Sequence, residues 1–383
     1  MFYTDSAFAV SETFIQNQIG SRCPFERIIV YNKKGEQNHE LLSTCKAYKI
    51  ELTPKTFIDR LLSKIDRLIR RYGEYSFPIS TQQKIISIIR ENNINIIHCN
   101  YGQNAIKFIP IIKQTKTALI CHFHGFDSSQ LLNSSIYVRN IKKVFRLVNT
   151  TITVSNDMTK RLEGYGLEPK KNRLIHYGTD LAKIKTIKKE KATGGKIIIL
   201  HAGRLTEKKG VPDLISVFAK VFHKYKNLEL RIIGSGEEEE KVRNKVCELG
   251  ISNVVQLQGS RPHDYVLKEM KQADIYILNS RTAENGDMEG YPNTIIEAMA
   301  CGCAVVSTIH AGIPDAITNE LDGLLIPERD NRALEIAIER LIADPLLRNK
   351  IQKNALEKAN YFSVELMQNS YFNVYQEISQ LTN

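Results

Sequence analysis

The second half of the chain alternates short apolar, β-rich runs with helical patterns, and this constrains the fold more than any other feature. The runs fall at 196–202, 228–233, 254–258, 274–278, 304–308 and 323–326, with helical patterns at 211–225, 237–249, 263–272 and 293–301 between the earlier ones. Such alternation predicts a parallel sheet with helices on both faces. The first half repeats the theme at 26–31, 45–52, 95–99, 118–123, 150–155 and 173–177, with Pro54 and Ser80 as helix-start signals. At ~100–200 residues per domain, 383 residues accommodate two such α/β domains. The stretch 181–195 is Lys-rich, has little apolar periodicity and ends in Gly-Gly. The expected layout is therefore an N-terminal domain over 1–180, a linker over 181–195 and a C-terminal domain over 196–360. Residues 331–380 read as helical, interrupted at Pro345 and Ser363, with the last helix (361–383) expected to cross back to the N-terminal domain. Two tandem domains of this kind place ligands at the carboxyl ends of their strands, in a cleft.

Composition removes several other classes. With 42% apolar residues and no low-complexity segment, the chain is not disordered. Its longest apolar runs, such as 197–200, fall far short of the ~18 residues a membrane span needs. Asp5 lies in the first five residues and no basic segment precedes an apolar stretch, which argues against a secretory leader. The seven cysteines, at 23, 45, 99, 121, 247, 301 and 303, suit a reduced, cytoplasmic protein. Cys301 and Cys303 are the one close pair, and no second Cys/His pair sits near them at zinc spacing, so no metal is expected.

The formal net charge of +11 lies wholly in the first half. Residues 1–180 hold 26 Lys+Arg against 15 Asp+Glu, whereas 181–383 hold 27 of each. Part of the excess is ordered: Arg60, Lys64, Arg67 and Arg71 form one stripe on a helix whose apolar positions (Phe57, Ile58, Leu61, Leu62, Ile65, Leu68 and Ile69) recur with helical period. A second basic helix is expected at 137–147, with Arg139, Lys142, Lys143 and Arg146. One reading is a solvated face over a core stripe; the other is docking on an anionic membrane surface, at about 1 kcal/mol per basic residue. Nucleic acid fits less well, because no RNA-binding or helix-turn-helix signature accompanies the charge.

Two loops carry chemistry. After the first strand of the second half, Gly203 and Arg204 lead into Lys208-Lys209-Gly210, so Arg204 and Lys209 can converge on one anion at a helix N-terminus. Further on, Gly290 and Pro292 mark a tight turn, Asn293 or Thr294 starts a helix, and Gly302 ends it. The free N–H groups of that helix start suit a diphosphate. Glu289 precedes the turn and Glu297 lies one turn into the helix, so the two carboxylates can address two parts of one ligand.

This pattern resembles the retaining glycosyltransferases of family 4, which have the two-domain GT-B fold: two Rossmann-like domains with parallel sheets facing across a cleft. The residues that carry it are Arg204 with Lys209, then Glu289 and Glu297 with seven residues between them. The start of the chain, Phe8 to Ile19, resembles bacterial exopolysaccharide glycosyltransferases of the colanic-acid and amylovoran type. The resemblance implies that Arg204 and Lys209 hold the diphosphate and stabilise it as it leaves. Glu289 would bind donor-sugar hydroxyls, with Gly290, Tyr291, Pro292, Asn293 and Thr294 around sugar and phosphate. Glu297 would accept hydrogen bonds from the ribose. Gly234 and Gly236, then Ser260 and Arg261, would edge the nucleoside pocket, and His124 would reach the donor sugar. The chain departs from the family pattern in three places. The first N-terminal loop is Ala9-Val10-Ser11-Glu12-Thr13, without the usual glycines, after a very short first strand. The usual Pro-Asn-Gly-x-Asp is His176-Tyr177-Gly178-Thr179-Asp180. Asp315 stands where a Glu is usual.

The implied activity is transfer of a sugar from a nucleotide-diphosphate sugar, with UDP the expected nucleotide, to a saccharide or lipid-linked saccharide during surface-polysaccharide synthesis. It would proceed with retention by front-face attack, with no cofactor. No Asp-x-Asp pair occurs in the chain, so no divalent metal is expected in catalysis. The expected location is the cytoplasm, at the inner face of the membrane. A nucleotide-sugar epimerase on the same scaffold is the alternative. A Rossmann oxidoreductase is disfavoured because Gly234-Ser235-Gly236 runs into four glutamates with no third glycine. A basic nucleic-acid-binding module would need salt-dependent binding to DNA or RNA without sugar-nucleotide binding.

Overall fold

The computed structural model describes residues 1–7, 13–19, 25–34, 45–54, 56–70, 72, 75–188 and 195–382. It divides into two units, Met1–Gly178 with Glu365–Asn383, and Thr179–Val364.

In the first unit the elements run β1 (Phe2–Ala7), α1 (Thr13–Ile19), β2 (Ile28–Lys34), β3 (Lys46–Lys49), α2 (Phe57–Arg70), α3 (Ile79–Glu91), β4 (Ile96–Asn100), α4 (Gly102–Thr115), β5 (Ala118–His122), α5 (Ser135–Leu147), β6 (Thr150–Thr153), α6 (Asn156–Gly164) and β7 (Asn172–Leu174). Among the described residues the strands form one parallel sheet in the order β3-β2-β1-β4-β5-β6-β7. The chain therefore winds outward in one direction and then the other from β1, the doubly wound arrangement. The opening strand is not the very short one expected: β1 has six residues and lies inside the sheet, between β2 and β4. Its polar residues concealed it. Asp5 accepts a hydrogen bond from Tyr3 Oη at 2.6 Å and an ion pair from Lys107 at 2.9 Å. The glycine-free loop after it falls at residues 8–12, outside the described residues.

Helix α2 forms where its periodicity predicts, but its apolar positions are not a core stripe. Phe57, Ile58, Leu61, Leu62, Ile65 and Leu68 are all exposed, and the helix turns Asp59 and Ser63 inward. Of the basic stripe, Arg60 and Lys64 are exposed, Arg67 lies within the helix, and Arg71 is outside the described residues. Helix α5 behaves conventionally: Tyr137, Ile141, Val144 and Phe145 are buried, and Lys142 and Arg146 are exposed.

The second unit continues with α7 (Leu181–Thr186), β8 (Ile197–Ala202), α8 (Val211–Lys224), β9 (Leu228–Ile233), α9 (Glu239–Glu248), β10 (Val255–Leu257), α10 (His263–Gln272), β11 (Ile275–Leu278), α11 (Asn293–Cys301), β12 (Ala304–Thr308), α12 (Ile313–Ala316), β13 (Leu324–Ile326), α13 (Asn331–Ala343) and α14 (Pro345–Ala359), and the last helix, α15 (Val364–Thr382), follows it. Its parallel sheet has the order β10-β9-β8-β11-β12-β13. The stretch read as a linker begins instead as α7: Asp180 caps it by accepting from Lys183 N at 2.9 Å, and Leu181 and Ile184 are buried. Apolar side chains of β8, β9, β11 and β12 pack with those of α8, α13 and α14 into the main core of this unit. Most of α15 belongs to the first unit, where Gln368 donates to Asn17 O at 2.8 Å and Tyr375 Oη lies 2.9 Å from His98 Nδ1.

Candidate active site

The strand order reverses at β8, so the loops after β8 and β11 flank the switch point of the second sheet, where ligands bind in open α/β sheets. After β8 the chain turns through Gly203 and Arg204, makes a short 3₁₀ turn over Glu207–Lys209, and enters α8 through Gly210 at φ +59°. A side chain at Gly210 would meet the backbone oxygen of Asn279 at 2.4 Å. The turn buries both Lys208 and Lys209 and leaves Arg204 exposed.

Buried ammonium groups need partners. Lys209 Nζ sits 2.7 Å from Glu289 Oε1; Lys208 Nζ sits 2.9 Å from Asp287 Oδ2 and donates to Met288 O at 3.3 Å. Burial alone would raise the Glu289 carboxyl, but the Lys209 charge, the Lys208 charge and the Lys209 hydrogen bond together pull it down to about 2. Burial lowers the Lys209 ammonium below its ordinary value, against the pull of Glu289. Glu289 is held from its backbone side too. Its N–H donates to His310 Nε2 at 3.1 Å, and His310 Nδ1 lies 2.6 Å from Glu328 Oε1. The ring hydrogen therefore sits on Nδ1, and Glu328 fixes the tautomer that accepts from Glu289.

Gly290, Tyr291 and Pro292 are buried at the turn, and α11 begins at Asn293 without a side-chain cap. Asn293 Oδ1 is buried with no hydrogen-bond partner. Thr294 follows in the first turn. Glu297 is buried rather than on a surface, with Oε1 2.9 Å from His263 Nε2 at the start of α10. That hydrogen bond raises the His263 imidazole above its ordinary value, so the pair's stabilisation is present below the unfolded value and lost as pH rises through the folded one. We expect Glu297→Gln to bring the His263 titration back down, read by proton NMR of the ring; an unmoved titration would show that the pair does not form in solution.

Gly234 and Gly236 serve close packing of loops. A Cβ on Gly234 would lie 1.8 Å from Gly203 O, and one on Gly236 would lie 2.4 Å from Leu205 O. Backbone hydrogen bonds from Gly203 N to Ile233 O and from Leu205 N to Ser235 O lock the two loops together. Ser260 and Arg261 are exposed, and the Arg261 guanidinium lies 5.4 Å from the Tyr265 ring centroid. Asp315 lies in the short helix α12, and its charge adds to burial in raising the Tyr291 phenol.

His124 belongs to the first unit, just beyond the end of β5. It is buried and hydrogen-bonded on both nitrogens, with Nδ1 2.5 Å from Tyr177 Oη and Nε2 2.9 Å from Asn100 Oδ1. Burial, then His122 and His98, push its imidazole well below the ordinary value, so it is neutral. Asp127 holds its backbone by accepting from His124 N at 2.9 Å and Gly125 N at 3.1 Å.

Sequence reading brings Arg204, Lys209, Glu289 and Glu297 to neighbouring loops of one unit, as the structure does. It missed the Lys209–Glu289 pair, the His310–Glu328 support and the His263 partner. Residues 80, 18 and 34 positions apart carry no local signal of contact.

Comparison with known proteins bears on the family and the fold. The family Glycosyl transferases group 1 matches residues 183–358, and Glycosyltransferase Family 4 matches 36–183. The Escherichia coli K12 protein named colanic acid biosynthesis glycosyltransferase WcaL is 30% identical over 92% of this chain and 92% of its own length. Its Salmonella typhimurium counterpart is 33% identical, but the match spans 52% of that protein. The amylovoran biosynthesis glycosyltransferase AmsK of Erwinia amylovora is 29% identical over 65% of this chain and 61% of its own length. In fold, the chain is similar to Anabaena HepE, solved in complex with UDP, at a TM-score of 0.79 and 17% identity over 98% of this chain and 99% of that one. The chain belongs to the family 4 glycosyltransferases, with the GT-B fold, and among them to the group of the colanic-acid and amylovoran enzymes.

Proposed function

We propose that this glycosyltransferase moves a sugar from a UDP-sugar to a saccharide or lipid-linked saccharide acceptor in exopolysaccharide assembly, with retention of configuration, without a metal, on the cytoplasmic face of a membrane. The second unit takes the donor and the first takes the acceptor. The buried Lys209–Glu289 pair beside the uncapped start of α11 supports this reading above all else. A diphosphate there meets an N-terminal helix dipole, Lys209 and Arg204, which stabilise the charge that develops as it leaves. Glu289, ionised and held by His310, accepts from donor-sugar hydroxyls, and Glu297 accepts from the ribose. In the reacting step the acceptor oxygen forms a bond to the anomeric carbon as its bond to the diphosphate breaks. The acceptor proton passes to the departing phosphate oxygen, on the same face, which gives retention without a protein nucleophile. The relatives in colanic acid and amylovoran biosynthesis support the exopolysaccharide role, and the UDP bound to HepE supports the nucleotide. The basic excess of residues 1–180, with Arg60 and Lys64 exposed, supports an anionic membrane surface as partner.

Labelled UDP-sugars incubated with lipid-linked saccharides from bacterial membranes test this reading. Expected are labelled product with the donor's anomeric configuration and activity indifferent to EDTA. An inverted product, or activity abolished by EDTA and restored by manganese, contradicts the mechanism. Glu297→Ala should weaken UDP binding about ten-fold or more, since a hydrogen bond to a charged group is worth ~1.5–3 kcal/mol; calorimetry showing unchanged affinity would remove Glu297 from the ribose.

A further inference from the structure

Helix α2 is built inside out. Six apolar side chains, Phe57, Ile58, Leu61, Leu62, Ile65 and Leu68, are exposed, with Phe57 at 78% and Leu68 at 79%. At 100° per residue they occupy one arc of about 140°. The opposite face is polar and fastens the helix to the protein. Asp59 is buried and accepts from Ser80 N at 3.1 Å and from Ser80 Oγ at 2.5 Å. Ser63 is buried and accepts from Ile79 N at 3.1 Å. Asp66 accepts from Gln82 Nε2 at 3.4 Å. These bonds satisfy the first N–H groups of α3 and orient α2 so that its apolar arc points away from the unit. Arg60 and Lys64, both exposed, run along one edge of that arc.

We propose that α2 is an in-plane bilayer anchor, its apolar face entering the acyl boundary of an anionic membrane while Arg60 and Lys64 meet the headgroups. This deepens the membrane docking proposed above, on which it rests for the sign of the lipid. Docking by charge needs only a basic surface, whereas an outward apolar arc needs an apolar medium. Charge decides between a membrane and a second copy of this chain. With +11 carried by residues 1–180, two first units brought together repel, and an anionic surface attracts. An apolar face flanked by basic residues is the pattern of helices that lie in the membrane interface. Arg and Lys stems cover apolar surface at such an edge while their charges reach the phosphates.

The chain contains no tryptophan, so Leu68→Trp places a single indole on the arc. Vesicles of phosphatidylcholine with phosphatidylglycerol, made with and without acyl-brominated lipid, then report depth. We expect blue-shifted emission, quenching by bromines in the acyl region, and attachment that partly survives high salt. Phe57→Ser and Leu68→Ser should each weaken attachment about ten-fold, the loss of a buried apolar side chain; circular dichroism checks that the variants remain folded. Attachment without quenching, released fully by salt and indifferent to both serines, would overturn the insertion and leave electrostatic docking standing. No attachment to vesicles, with a dimer in sedimentation that the serines abolish, would assign the arc to a second copy. No attachment and no dimer would overturn both the anchor and the docking.

Discussion

Lys209→Ala is expected to destabilise the folded protein by about 3 kcal/mol at neutral pH and to lower turnover 10²- to 10³-fold, the two largest losses any single change here should produce. The stability loss follows from burial. Removing one partner of a buried pair strands the other charge, and Glu289 is 9% exposed. The sign with pH is fixed by the direction of the Glu289 shift. Its carboxyl titrates near 2 when folded, below the ~4.3 of an unfolded Glu. The pair's contribution is therefore present above the unfolded value and lost as pH falls through about 2. In the variant the carboxyl keeps its burial without the Lys209 charge, so the difference in stability between wild type and variant should shrink as the pH falls below about 4, seen in denaturant titrations at several pH values. In the proposed reaction the turnover loss has a separate origin, the charge on the departing diphosphate. Adding Glu289→Gln to Lys209→Ala should therefore recover part of the stability and none of the activity. Recovered activity would mean that Lys209 acts only on Glu289.

Gly234→Ala is the second large effect. The new Cβ would stand 1.8 Å from a backbone oxygen, at φ +144°, where no side chain can swing away. The loop carrying Gly203 and Arg204 must move, at a cost of about 1–3 kcal/mol, and UDP binding should weaken with it. Gly250→Ala provides the comparison: φ is +66° with nothing within 4 Å of the added atom, so only the left-handed backbone penalty of about 1–2 kcal/mol remains. Thermal unfolding should rank Gly234→Ala below Gly250→Ala, and only the former should lose nucleotide affinity. Equal losses would show that the loop contact relaxes freely.

The second unit was legible because its strands are buried on both faces and read as unbroken apolar runs, such as Ile197 to Leu200, with caps and glycines at the ends of the helices between them. The turn at Gly290 and Pro292 before α11 was legible for the same local reason. The first unit was less so. Strand β1 carries Thr4, Asp5 and Ser6, whose partner Lys107 is about a hundred residues away. Helix α2 shows the limit of periodicity most clearly. The 3.6-residue repeat shows that one face is apolar, but what covers that face depends on whether Asp59 and Ser63 find partners on α3. The pairing of Lys209 with Glu289 was hidden likewise, since each residue alone reads as a ligand contact and only the fold brings them to 2.7 Å.

A crystal structure with UDP shows whether the second unit holds the donor through Lys209, Glu289, Glu297 and the start of α11. The diphosphate should lie against the first turn of α11 within hydrogen-bond reach of Lys209 and Arg204, with the ribose on Glu297. UDP bound elsewhere, with the Lys209–Glu289 and His263–Glu297 pairs undisturbed and the helix start bare, would contradict it.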